Sequence, residues 1–326
     1  LDRGHGYYMK RFVGKLVVFL CLFGVIVLGL DILSAQEPFR EGFAYVTESS
    51  DYWAGENDDI AIYISQVREQ GEYTKLVVGD SVCHQLTNGL RDVNADYSLV
   101  GNNRALSIAG EYLLTREFLE THEGITDVYL IVGLDSLQTN IDVMYGYQYV
   151  AIPFLREDML QNLDEKTLEE MNDTFGTFFM QKSVSRMVAC SSVNRKLYLN
   201  YIKEHKGVLD PNPGGGIVMS EVAAEYLVKI YELCEEYGVT MHLLPDPLAD
   251  NQYRRDQADG LRQDFAARGL DELFPNYFDE IMYYPEEQFG DGIHFSEPYN
   301  TQEEFNQKLT ELYLDKGYLE GLVLEP

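Results

Sequence analysis

After residue 73 the chain is punctuated by short apolar runs, each closed by a glycine, a proline or a polar residue. Leu76 to Val78, Tyr97 to Val100, Val128 to Val132 and Val239 to Leu244 are too short for core helices and rich in β-branched or aromatic residues. They predict buried strands. Asp279 to Tyr284 reads as a fifth. Between them, Ile108 to Leu119 places Leu113, Leu114 and Phe118 at helical spacing, and Val218 to Tyr237 and Thr301 to Leu314 read as further helices. Alternation of strands with helices predicts an α/β fold, a three-layer α/β/α sandwich around a mainly parallel sheet. Residues 138 to 216 break this rhythm as a long insertion that reads as helical between Phe178 and Lys206; segments of this length between core elements often serve as lids or binding subdomains. Tyr145, Tyr147 and Tyr149 alternate within it, a period that favours half-buried strand packing over an aromatic sugar platform.

The opposite pattern stands near the start. Phe12 to Leu33 is a 22-residue apolar stretch interrupted by Lys15 and Asp31, and a membrane-spanning helix needs about 20 such residues. Lys15 lies one turn inside and can snorkel outward. A cleaved secretory signal is the competing reading, with Leu33, Ser34, Ala35 and Gln36 as a loose processing site; leucine fits that site poorly, which favours a retained signal anchor. Lys10, Arg11 and Lys15 lie at the start of the span and Asp31, Glu37 and Glu41 at or beyond its end, so the positive-inside rule places residues 1–11 in the cytoplasm and all after the span outside. The expected organisation is a tail (1–11), an anchor (12–33), a membrane-proximal connector (34–72) with a helix over Ile60 to Gln70, and one domain (73–326).

Composition changes the picture in two ways. Of the 54 acidic and 25 basic residues, 52 and 21 follow residue 33, and a field of that sign repels nucleic acid, anionic membrane surfaces and polyphosphates. Neutral substrates are favoured. Cys83, Cys190 and Cys234 are an odd number on the outer side, which leaves at least one thiol free. Scattered histidines and the lack of Cys-x-x-Cys pairs give no metal-ligand cluster, and no cofactor is expected.

Candidate chemistry begins where the first strand ends. Gly79, Asp80 and Ser81 stop the Leu76 to Val78 run before a helix-compatible segment. A serine there lies at the carboxyl edge of a sheet, beside the unpaired amides of a starting helix, where a developing oxyanion is stabilised. An ordinary strand-to-helix turn is the competing reading. Cys83, a small hydrophobe by default, and His84 are read as structural. More than two hundred residues later, Gly290 to Ser296 reads G-D-G-I-H-F-S. Asp291 and His294 are three apart in a glycine-containing turn, so the carboxylate reaches one imidazole nitrogen while the other points outward.

With these two blocks the chain resembles the SGNH, or GDSL-like, hydrolase superfamily over residues 73 to 326, which implies the flavodoxin-like form of the sandwich. Carried over residue by residue, the resemblance implies Ser81 as nucleophile, His294 as general base and Asp291 as its orienter. The family's third block, Gly-x-Asn-Asp, falls on Gly133, Leu134, Asp135 and Ser136. There an ionised aspartate, which only accepts hydrogen bonds, stands where the family has an amide donor. The second block falls on Gly101, with Asn102 and Asn103 beside it. Ser81, Gly101, Asn102 and Asn103 are therefore the oxyanion-hole candidates.

Layout and resemblance together imply an envelope-anchored serine esterase or O-acyltransferase acting on acyl groups, acetyl above all, of a cell-surface glycan. Membrane-anchored members of similar layout modify alginate with acetyl groups or transfer D-alanine to teichoic acid beside a membrane-bound O-acyltransferase, which makes such an enzyme a candidate partner. The altered third block motivates a reading of another class: a catalytically silent module that binds glycan or that partner.

Overall fold

The computed structural model describes residues 3–34, 60–101, 107–141, 151–178, 180–182, 184 and 216–325. The four apolar runs form strands β1 (Lys75–Gly79), β2 (Tyr97–Gly101), β3 (Asp127–Val132) and β4 (Thr240–Pro245). They pair in parallel in the order β2-β1-β3-β4. Their side chains divide with period two. Leu76, Val78, Val100, Val128, Leu130, Val132 and Leu243 enter one core, whereas Val77, Leu99, Tyr129, Ile131 and Leu244 enter the other. A strand apolar on both faces needs cover on both. Helices α2 (Ile60–Val67) and α4 (Ser107–Thr121) cover the first face, with a longer helix described below; α3 (Ser81–Thr87) and a C-terminal helix cover the second.

Because all four strands run the same way, their carboxyl ends share one edge. The chain steps from β1 outward to β2 and then returns past β1 to β3, so the connections diverge between β1 and β3. In open α/β sheets that crevice is the customary ligand site. Two glycines let the backbone close up there. A Cβ at Gly79 would fall 2.0 Å from the Ile131 carbonyl oxygen, and one at Gly101 2.5 Å from the backbone nitrogen of His84, so β2 ends hard against the first turn of α3.

Helix α5 (Leu134–Gln138) leads directly into the insertion, which contributes α6 (Ile152–Arg156) and α7 (Glu165–Phe175). Phe154, Met171 and Phe175 reach into the first core. Tyr145, Tyr147, Tyr149, Cys190 and most of the run from 178 to 206 lie outside the described residues. Helix α8 (Glu221–Tyr237) starts at Ser220, whose hydroxyl accepts from the Ala223 N–H, and ends at Gly238 in the left-handed conformation, so both termini are capped by local sequence. After β4, strand β5 (Leu248–Ala249) leads into α9 (Gln252–Ala267), a helix that the hydrophobic pattern did not predict. Its buried positions are Arg254, Gln257, Ala258, Leu261 and Phe265. The stripe has helical spacing, but its first two members are polar and hide it.

The fifth strand is a correction. Only β6 (Tyr283–Tyr284) is extended, and it pairs with β5 in a separate two-stranded sheet. The Asp279 and Glu280 N–H groups both donate to the Asn276 carbonyl, at 2.9 and 3.0 Å, and curl the start of the expected strand into a turn. The chain closes with α10 (Gln302–Leu312), opened by a capping box between Thr301 and Glu304.

At the other end, α1 (Arg3–Ser34) is one continuous helix whose apolar side chains, such as Phe12, Phe19 and Ile26, face outward. Among the described residues no helix is long and apolar enough to cross a membrane; the described side chains of α1 include Lys10, Arg11 and Lys15. Helix α2 is no spacer. Ile60, Tyr63, Ile64 and Val67 are buried in the first core.

Candidate functional site

Ser81 is the first residue of α3, raised at the end of β1. Asp80 caps the helix: one of its oxygens accepts from the Val82 N–H at 3.1 Å. Its other oxygen accepts from the Gly133 N–H at 2.9 Å and from the Ser136 hydroxyl. Asp80 thereby ties the turn after β1 to the turn after β3 across the crevice where the connections diverge.

The turn bearing Asp291 and His294 returns over this edge from the far end of the chain. Asp291 Oδ1 accepts from the N–H groups of Ile293 and His294 at 2.9 and 2.8 Å, and Asp291 Oδ2 accepts from His294 Nδ1–H at 2.8 Å. Partial burial pushes the Asp291 pKa up, but the bonds from the His294 amide, the His294 imidazole and the Ile293 amide outweigh it and hold it down to about 2. A carboxylate that accepts from Nδ1–H leaves Nε2 as an acceptor. The Ser81 hydroxyl lies 2.6 Å from that atom and donates to it. The three residues nominated from the sequence are therefore brought together, in the order Ser81, His294, Asp291.

A residue not nominated holds this arrangement. Gln85 lies four positions after Ser81, one helical turn along the same face of α3. Its amide donates to the Phe295 carbonyl at 2.8 Å and its oxygen accepts from the Phe295 N–H at 3.0 Å. Phe295 is buried and stacks on Phe289 with ring centres 4.7 Å apart. The residue after the histidine is thus fixed by its side chain in the core and by its backbone to the serine's helix. The i to i+4 relation to Ser81 was the available signal, but nothing in the sequence says what Gln85 would meet.

Asp135 is not a donor here. Its Oδ2 accepts from Arg254 Nη1 at 2.7 Å and its Oδ1 from Gln257 Nε2 at 3.0 Å. Of the oxyanion-hole candidates, Ser81 stands at the helix start and Gly101 packs against α3, whereas Asn102 and Asn103 lie outside the described residues. Cys83 is buried, and desolvation first, then the nearby Asp246, raises its thiol pKa well above normal, as suits a core residue. His84 Nδ1 lies 3.1 Å from the Gly101 carbonyl, and the ring borders the cavity beside Ser81.

Two depressions meet at Ser81 and His294. The larger, about 430 Å³, is walled by the amides Gln85, Asn88, Asn300 and Gln302 and by Phe305. The smaller, about 110 Å³, includes Gly133, Asp135, Asp246 and Arg254. Asp246 is buried in the floor of the second, and desolvation and the neighbouring Asp80 carboxylate drive its pKa well up. Among the described residues no group of three or more histidine, cysteine or acidic side chains is placed to hold a metal ion. No protein-family model, no curated protein and no solved structure matches this chain.

Proposed function

We propose that this protein is a serine esterase or O-acyltransferase of SGNH type that works through an acyl-enzyme on Ser81. The observation that carries the reading is the continuous hydrogen-bonded line from Ser81 Oγ through His294 to Asp291, with both contacts under 3 Å. Ser81 Oγ attacks the acyl carbonyl while its proton passes to His294 Nε2. Collapse breaks the bond to the leaving alcohol, which takes that proton from His294. Water or a sugar hydroxyl then attacks the acyl-Ser81 ester, giving its proton to His294 and restoring the serine. Asp291, held ionised, keeps Nδ1 protonated and stabilises the imidazolium as it forms.

The acceptor class is argued from the larger cavity. Carboxamides and an aromatic wall suit hydroxyl-rich, uncharged ligands, and among the described residues the lining carries no carboxylate, in a chain of net charge −29. An acyl ester, acetyl above all, of a neutral cell-envelope glycan fits these features. The 12–33 stretch is read as a single-pass anchor with the domain outside, and a membrane-bound O-acyltransferase as the source of the acyl group.

Treatment of the protein with a fluorophosphonate probe, followed by intact mass, tests the reading. One adduct is expected on the wild type and none on Ser81→Ala or His294→Ala, whose ester turnover should fall at least about 10³-fold. Absence of labelling in folded wild-type protein would sink it. The second reading, a silent binding module, is favoured by one observation: Asp135 is committed to Arg254 and Gln257. Full rescue of a deletion strain by Ser81→Ala would select it.

A further inference from the structure

Arg254 is a guanidinium buried beside the candidate triad, and it bonds directly to both Asp135 in the turn after β3 and Gly292 in the histidine turn. It stands in the first turn of α9, which Asn251 caps by accepting from the Arg254 N–H at 2.9 Å. Its side chain is 6% exposed, against 40% for Asp135. Burying a cation is costly unless it is paired and its donors are used. Here Nη1 donates to Asp135 and to Gln257 Oε1, each at 2.7 Å, and Nη2 and Nε converge on the Gly292 carbonyl at 2.8 and 3.2 Å.

Gly292 sits between Asp291 and His294 with φ of +82°, a conformation that glycine adopts without strain. The turn is thus gripped from two sides. Asp291 gathers the amides that follow it, and Arg254 holds the carbonyl in the middle. Asp135 accepts one bond at each oxygen, from Arg254 and from Gln257, and Gln257 is braced in turn by Gln138 Oε1 at 2.6 Å.

We propose that Arg254 is a positioning residue that clamps the Asp291–His294 turn over Ser81, and that Asp135 serves as its counter-ion rather than as a donor to the reacting carbonyl. The inference rests on the Ser81 chemistry proposed above, but the clamp itself is a statement about His294. Loss of the clamp frees the turn at its midpoint. A displacement of about 1 Å at a reacting group costs about 10²-fold in rate.

The test uses the full chain, p-nitrophenyl acetate as substrate, and the downfield proton resonance of the His294–Asp291 hydrogen bond. Arg254→Met is expected to lower kcat about 10²-fold with KM unchanged and to broaden that resonance, while Arg254→Lys recovers part of the rate by keeping the charge beside Asp135. Asp135→Asn is expected to lower kcat about tenfold, since it leaves the buried guanidinium without a counter-ion. A rise in kcat for Asp135→Asn would overturn the proposal, because it would identify the asparagine amide as a missing oxyanion donor. So would a kcat for Arg254→Met within twofold of wild type. If the wild type neither turns over the ester nor takes the fluorophosphonate label, the Ser81 chemistry fails and the resonance alone decides: broadened in Arg254→Met supports the clamp, unchanged overturns it. Should Arg254→Met not fold, Asp135→Asn and Arg254→Lys decide by the same readings.

Discussion

The carboxyl group of Asp246 lies under the turn after β3, where a Cβ on Gly133 would come within 2.8 Å of its Oδ2, and its Oδ1 has no hydrogen-bond partner among the described residues. Its pKa is raised by desolvation and by Asp80. A carboxyl whose folded pKa exceeds its unfolded value keeps a proton that the unfolded chain releases, so stability falls as pH rises from about 4 toward the folded value. Asp246→Asn removes that loss. Its melting temperature should exceed the wild type's at pH 7, by a free energy on the order of 1 kcal/mol, and the difference should shrink at pH 4, as calorimetry at the two pH values would read. Asp291 has the opposite sign: its depressed pKa contributes stability above its unfolded value near 3.8, lost as pH falls through about 2. At this scale Ser81, Asp291 and His294 were legible because short motifs carry them. Gln85 and Arg254 were not, because their partners are backbone groups of Phe295 and Gly292, 210 and 38 residues away.

Elements decide whether those residues meet. Helix α3 carries Ser81 at its start and Gln85 one turn later, so a single rigid unit both presents the hydroxyl and holds the histidine's neighbour. Gln85→Leu removes both bonds to Phe295 and leaves its N–H and carbonyl to find other partners. The melting temperature should drop by only a few degrees, since Phe289 and Phe305 still pack Phe295 in the core. Ester turnover should fall about 10- to 100-fold, because His294 loses its register over Ser81; an unchanged rate would show that the aromatic packing alone positions the turn. The four strands were legible from their apolar runs, and α4, α8 and α10 from periodicity or caps. Helix α9 escaped because Arg254 and Gln257 occupy core-facing positions where the pattern looks for apolar residues. The fifth strand was over-read because Tyr283 and Tyr284 follow residues that form a turn.

The whole molecule combines an acid-rich domain with an N-terminal apolar helix. Anchoring is checked by fractionation: the full chain should stay with membranes through alkaline carbonate washing, whereas residues 36–326 should be released. Release of both would remove the anchor from the proposal. Helix α2 shows that the domain's core reaches back to Ile60, into the stretch expected to be a connector; burying its four core side chains contributes roughly 1.5–3 kcal/mol each. The sequence by itself determined the four strands of the main sheet, their parallel α/β character and the three residues of the Ser81–His294–Asp291 line, because each depends on local pattern or on a motif a few residues long. Tertiary structure alone decided the strand order β2-β1-β3-β4, the commitment of Asp135 to Arg254, and the grip of Gln85 and Arg254 on the histidine turn. Those depend on which distant groups are left wanting partners once the sheet has closed, and a linear pattern does not record that.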